Sequence, residues 1–438
     1  MFLEKEGKLI YSYDGETVCI EAWGKDALRV RATKNRSFTG RDWALEAKDA
    51  HAGEVEIFED PSAKGGAFAN MYEGTDTSYG KITNGKLHAV IDSGSVITFY
   101  HEDGRVLLKE HFRRLRDEES MPLNIMGREY SNGVGDNFRI VARFVARKGE
   151  KIFGMGQYQQ HELDLKGCML ELAQRNSQVS VPFYLSSIGY GFLWNNPGVG
   201  QVMFANNGTE WVTESGKEID YLVIAGDTPA EIEENYMTLT GKPPMMPEYG
   251  MGFWQCKLRY WNQEQLLSVA RKYKELGVPL DVIVVDFFHW TKQGEFKFDP
   301  KYWPDVPGMC RELKEMGIQV VVSVWPTVDI YSENFEEMKE KGYLVRTEHG
   351  VPLTMLCGGN EVFFDATNPD ARTYVWEKIK KNYYDQGAKL FWLDVAEPEY
   401  SVYDFKNYRY QLGSVQEVGN IYPKYYLKAF YDGMTAEG

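Results

Sequence analysis

The stretch KLFWLDVAEPEY places three acids directly behind an apolar run: Asp394, Glu397 and Glu399 follow Leu390-Phe391-Trp392-Leu393. Asp286 ends a second such run, LDVIVVD, and Trp325 ends a third, VVVSVW. Burying an unpaired carboxylate is costly, so acids in these places need solvent, partners or a task. Two tasks suit carboxylates at successive strand ends. They can hold a magnesium ion for proton abstraction, or one of them can attack the anomeric carbon of a sugar. A hard cation wants oxygen ligands with few large aromatics intruding. Here Phe287, Phe288, His289, Trp290, Trp325, Phe391 and Trp392 crowd the same ends. Aromatic walls around a carboxylate fit a sugar ring and an oxocarbenium-like transition state, so sugar chemistry is favoured. A single acid at a strand end is more often a helix cap; two such acids with a Trp are harder to explain as capping. Glu397 reads either as a solvated loop acid or as a support for the first acid, and Glu399 reads as solvated.

The elements that must position these residues follow two patterns. Residues 1–235 read as short strands. GKLIYSYDGETVCIEAWGKDALRVRAT alternates apolar and polar residues between Asp-Gly and Gly-Lys turns, and GKLHAVIDSGSVITFYHEDGRVLLKEH repeats this with SGS and EDGR as hairpin signals. Many short strands with regular turns predict an antiparallel β-sandwich. TPAEIEENYMTLTGKPPMMPEYG then runs from an N-cap Thr to a Gly and several prolines, which puts a linker at 236–248.

From 249 to 438 strands and helices alternate: MGFWQC, then a helix capped by Asn262 and stopped by Gly277, then LDVIVVD, VPGMCRELKEMG, IQVVVSVWP, two further helical stretches and AKLFWLD. Continuous β-branched runs mean strands buried on both faces, hence parallel βα units. No GxGxxG or GxxxxGK[ST] fingerprint follows a strand, which weakens nucleotide-binding folds. In a barrel, the strand-end residues converge on one mouth. The predicted class is α/β: an N-terminal antiparallel β-sandwich followed by an incomplete (β/α)8 TIM barrel, with four clear barrel strands.

Composition narrows the partners. Net charge is −15, from 49 basic and 64 acidic residues, with no segregated basic patch, so nucleic acid is an unfavourable partner. No apolar run approaches the length of a membrane span, and the charged first residues lack a signal-peptide core. The five cysteines are scattered and never form a CxxC pair, which fits a reducing cytoplasm and argues against a zinc ribbon. A homo-oligomer is compatible with the sequence.

The stretches GFWQCKLRYWNQEQLL, PLDVIVVDFFHWTKQGEFKFDPKYWPD, VVVSVWPTVD and LFWLDVAEPE resemble glycoside hydrolase family 31, the retaining α-glycosidases that include α-glucosidases and α-xylosidases. In the first half, IFGMGQYQQHELDLKG resembles the family's glycine-rich segment and VPFYLSSIGYGFLWNNPG its next strand pair, so the likeness runs from about Ile152 onward. The resemblance implies Asp394 as catalytic nucleophile, Glu397 as the acid that supports it, and Asp286 as the carboxylate that receives sugar hydroxyls. It implies Trp325, Trp254, Phe288 and Trp392 as pocket walls, with His161 and Asp164 as lining from a sandwich loop. Asp299 and Asp305 read as structural caps. Phe287 is bulky where the family's glucosidases tend to be slimmer, which favours α-xylosides over α-glucosides. Neither a metal nor a cofactor is implied; the partner is an oligosaccharide or other α-glycoside.

A retaining glycosidase needs a second carboxyl about 5–5.5 Å from the nucleophile to protonate the leaving oxygen and then activate water. In the family this acid–base Asp, with an arginine and a histidine that bind sugar hydroxyls, belongs to later barrel strands than the four counted before YDGMTAEG. The expectation is a C-terminally truncated chain, inactive by itself. Three other readings stay open: a transglycosylase sharing the nucleophile, a metal-dependent lyase or isomerase, and a non-catalytic sugar-binding homologue.

Overall fold

The computed structural model describes residues 1–46, 49–61, 76–115, 123–349, 360–398 and 405–438, so Glu399 and Cys357 lie outside the described residues. The chain divides into two compact units, Met1–Pro243 and Pro244–Gly438. Among the described residues no helix is long and apolar enough to cross a membrane.

The first unit is built of antiparallel sheets. Hairpins link Phe2–Lys5, Lys8–Tyr13, Glu16–Trp23 and Ala27–Thr33 in sequence order, and Ala27–Thr33 then pairs with Ile219–Ala225 from the far end of the unit. Two five-stranded antiparallel sheets complete the sandwich, and side chains from all three share one core in which Trp194, Trp211, Phe192 and Tyr221 are fully buried. Arg29, wholly buried, forks onto Asp220 with Nε–Oδ1 2.9 Å and Nη2–Oδ2 2.7 Å, tying the first strands to the last. The bidentate geometry offsets the cost of taking both charges out of water. Thr228 caps the helix Pro229–Thr240, which closes this unit.

Among its described residues the second unit carries four parallel strands: Trp254–Gln255, Val282–Val285, Gln319–Val324 and Leu390–Leu393, hydrogen-bonded in that order. All four residues of Val282–Val285 are buried, as the unbroken β-branched run requires. Helices Gln263–Glu275, Val306–Glu315, Pro369–Ile379 and Tyr422–Ala436 lie between or after these strands. This is the βα alternation of an incomplete barrel. Asn262 caps the first helix by accepting from Gln265 N–H at 2.9 Å, and Gly277 ends it at φ +65°, a left-handed turn that suits glycine. Asp305 caps the second helix through Gly308 N–H, and Asp299 accepts from Lys301 N–H.

The strand that ends at Asp394 is held from behind by aromatic packing. Phe391 meets Phe430 with ring centroids 5.3 Å apart, and Trp376 packs on both. This stacking depends on Gly433, where an added Cβ would lie 2.1 Å from Trp376 Cδ2. In an open helix, Gly→Ala stabilises by about 1 kcal/mol. Here Gly433→Ala is expected to destabilise the protein by about 1–3 kcal/mol in urea unfolding, because the helix must move off the ring. In a Trp376→Leu background, itself less stable, the same Gly433→Ala change should cost much less.

Candidate functional site

Register brings Trp325 beside Asp394. The third and fourth parallel strands pair Val324 with Leu393, so the next residue on each strand stands at the same level. There Trp325 Nε1–H donates to Asp394 Oδ2 at 3.1 Å, and the backbone N–H of Val395 donates to Oδ1 at 2.9 Å. Asp394 N–H in turn donates to Val324 O at 3.0 Å, and Tyr426 O–H donates to the same carbonyl at 2.8 Å. Burial and the nearby charge of Asp394 hold the Tyr426 hydroxyl well above its ordinary range, so it stays a donor. Val395 follows at φ +56°, a left-handed conformation that costs a β-branched residue about 1–3 kcal/mol.

The same construction recurs at Asp286. The backbone N–H of Phe287 donates to Oδ1 at 2.8 Å, and Cys256 Sγ donates to Oδ2 at 3.3 Å. One donor is local and the other comes from the preceding strand, as at Asp394. Phe288 then takes φ +58°, again left-handed. Phe287 stacks on Trp325 at 5.5 Å with planes 29° apart, and Phe288 and Trp290 complete an aromatic cluster around that indole. Asp286, Phe287, Phe288, Trp325 and Asp394 are therefore linked by direct contacts over the strand ends.

Beneath them sits His289, which is 2% exposed. Its Nδ1–H donates to the carbonyl of Asp286 at 2.9 Å, and Nε2 accepts from Tyr383 O–H at 2.9 Å. A carbonyl only accepts, which fixes the tautomer. Burial pushes the ring's pKa down to about 4 despite the bond to Asp286 O.

Trp254 and Trp392, also singled out in the sequence, line an apolar groove of about 550 Å³ with Val321, Leu390, Leu427 and Tyr431. Trp254 Nε1–H donates to Tyr249 O at 3.1 Å. Glu397 is half-buried on the segment after Asp394. His161 is exposed on a loop of the first unit. Asp164 accepts from Ile152 N–H and Lys166 N–H, so it ties down the base of that loop. Sequence reasoning missed Cys256, which looked like one scattered cysteine among five, and Tyr426, whose part depends on a helix beginning 28 residues after Asp394. Among the described residues no three His, Cys, Asp or Glu side chains are grouped to hold a metal ion.

Residues 243–438 match the family model of the glycosyl hydrolases family 31 TIM-barrel domain. The family 31 glucosidase ORF2 of Pseudescherichia vulneris, itself uncharacterised, is 45% identical across 100% of this chain and 81% of its own length. Alpha-xylosidase A of Aspergillus niger is 30% identical across 95% of this chain and 59% of its own. The crystal structure of a family 31 α-xylosidase from a soil metagenome, complexed with xylose, aligns over 100% of this chain and 64% of its own with 50% identity and a TM-score of 0.92. The chain thus spans less than two thirds of the length of two of these three relatives.

The buried ring of His289 makes a pH prediction. Its folded pKa lies below the ordinary value of about 6.5, so its contribution is complete above that pH. It is lost as the pH falls toward about 4, where the folded ring finally protonates. A pKa that falls from about 6.5 to about 4 corresponds to a loss of about 3–4 kcal/mol. Urea unfolding at a series of pH values should show this decline, and His289→Gln, less stable at pH 7, should show a slope flatter by that amount. An unchanged slope would assign the decline to other groups.

Proposed function

Because the chain belongs to glycoside hydrolase family 31, we propose that its strand-end carboxylates serve the cleavage of α-glycosidic bonds with retention of configuration, through a covalent glycosyl-enzyme formed on Asp394. The observation that carries the reading is the donor pair on Asp394: Trp325 Nε1–H and Val395 N–H hold the two oxygens and fix the orientation of the carboxylate for attack. In the first step one oxygen of Asp394 bonds to the anomeric carbon as the bond to the leaving oxygen breaks, and a proton passes to that oxygen from a carboxyl acid. In the second, water takes the glycosyl group and gives its proton to the same carboxylate. No described residue is assigned to that acid–base part. Asp286 receives hydroxyls of the sugar being cleaved, and Glu397 supports the nucleophile.

Among α-glycosides we favour xylosides. Phe287 follows Asp286 and lies flat against Trp325, whose indole reaches Asp394. A ring in that position narrows the space that a hydroxymethyl group would need. The relatives named α-xylosidase, one of them solved with xylose, support this preference. The groups at the cleavage site act without a metal or cofactor in this mechanism.

Two experiments test the reading. A fluorinated xylosyl fluoride, whose fluoride leaves with little acid assistance, should label the peptide carrying Asp394 and no other, and Asp394→Ala should abolish labelling. A label elsewhere would sink the proposal. With p-nitrophenyl α-xyloside and α-glucoside assayed on a full-length enzyme that includes the acid–base carboxyl, kcat/KM should favour the xyloside, and Phe287→Ala should shift the ratio toward the glucoside by roughly tenfold. An unmoved ratio would remove Phe287 from the specificity argument.

A further inference from the structure

Cys256 takes no part in the mechanism above, yet its thiol is aimed at Asp286. The sulfur lies 3.3 Å from Oδ2, across the boundary between the first and second parallel strands. Its backbone is held in place independently: Tyr273 O–H donates to Gln255 Oε1 at 2.8 Å, and Gln255 Nε2–H donates to Cys256 O at 3.0 Å. Burial and the carboxylate it faces push the thiol's pKa up to about 11, so it is a protonated donor and a poor nucleophile at neutral pH. It forms no disulfide.

We propose that Cys256 is a positioning residue for Asp286: the thiol on Oδ2 and the Phe287 N–H on Oδ1 lock the carboxylate plane and leave one acceptor direction on each oxygen for two neighbouring hydroxyls of a single sugar ring. An ionised carboxylate offers about four acceptor directions, and these two donors occupy one on each oxygen. Cys256 thus serves Asp286 as Trp325 serves Asp394, each reaching over from the preceding strand. The inference rests on the reading of Asp286 as the sugar-receiving acid.

Xylose binding, measured calorimetrically on the protein and its variants, tests this. Cys256→Ala should weaken binding roughly five- to tenfold, the loss of one hydrogen bond to a charged group. Cys256→Ser, which keeps a donor on the same carbon, should recover at least half of that loss, and the melting temperatures of both should match the parent. Binding by Cys256→Ala equal to that of the parent, or equal losses in the Ala and Ser variants, would overturn the positioning role. Asp286→Ala run in parallel separates the two ideas. If it abolishes binding while Cys256→Ala does nothing, only the thiol's part is wrong. If it binds as the parent does, or if the parent binds no xylose, the reading of Asp286 fails and this inference with it.

Discussion

A carboxylate at the end of a buried strand is free to rotate unless donors reach both of its oxygens. In this protein that constraint is met twice by one arrangement: the next backbone N–H on Oδ1 and a side-chain donor from the neighbouring strand on Oδ2. The cross-strand donor works only while the parallel register holds, since Trp325 meets Asp394 because Val324 and Leu393 are paired. The site's geometry is therefore a property of the sheet. What fixes the sheet, down to the glycine that lets a helix lie on Trp376, also fixes the acids.

The backbone after each acid is under strain, and the strain is local. Val395 and Phe288 occupy left-handed conformations that non-glycine residues seldom take. Such turns persist only where surrounding structure over-determines them. Around Phe288 that structure is the aromatic cluster with Phe287, Trp290 and Trp325; after Asp394 it includes the N–H of Val395 itself.

Much of this was legible in the sequence because local chemistry governed it. Alternation and Asp-Gly turns marked the hairpins, Thr228, Asn262 and Asp305 announced helix starts, and the unbroken valine and isoleucine runs identified parallel strands ending in acids. What stayed hidden was the direction in which side chains point from those strands. A run such as LFWL has no polar residue to mark a face, so nothing in it says that Phe391 packs on Phe430 and on Trp376. Cys256 was invisible for a related reason: a thiol becomes a donor to a carboxylate only through a register that no spacing in the chain reveals.

His289 carries one last consequence. It is the histidine nearest the two acids in this unit's sheet, and a ring in that place would ordinarily be the obvious carrier of protons to and from a substrate. Here its single hydrogen is committed to the carbonyl of Asp286 and its lone pair to Tyr383. With both nitrogens engaged and the ring sealed from solvent, it has no free valence through which to pass a proton on. The imidazole is a strut between the Asp286 carbonyl and the Tyr383 hydroxyl, with no nitrogen left over to carry a proton.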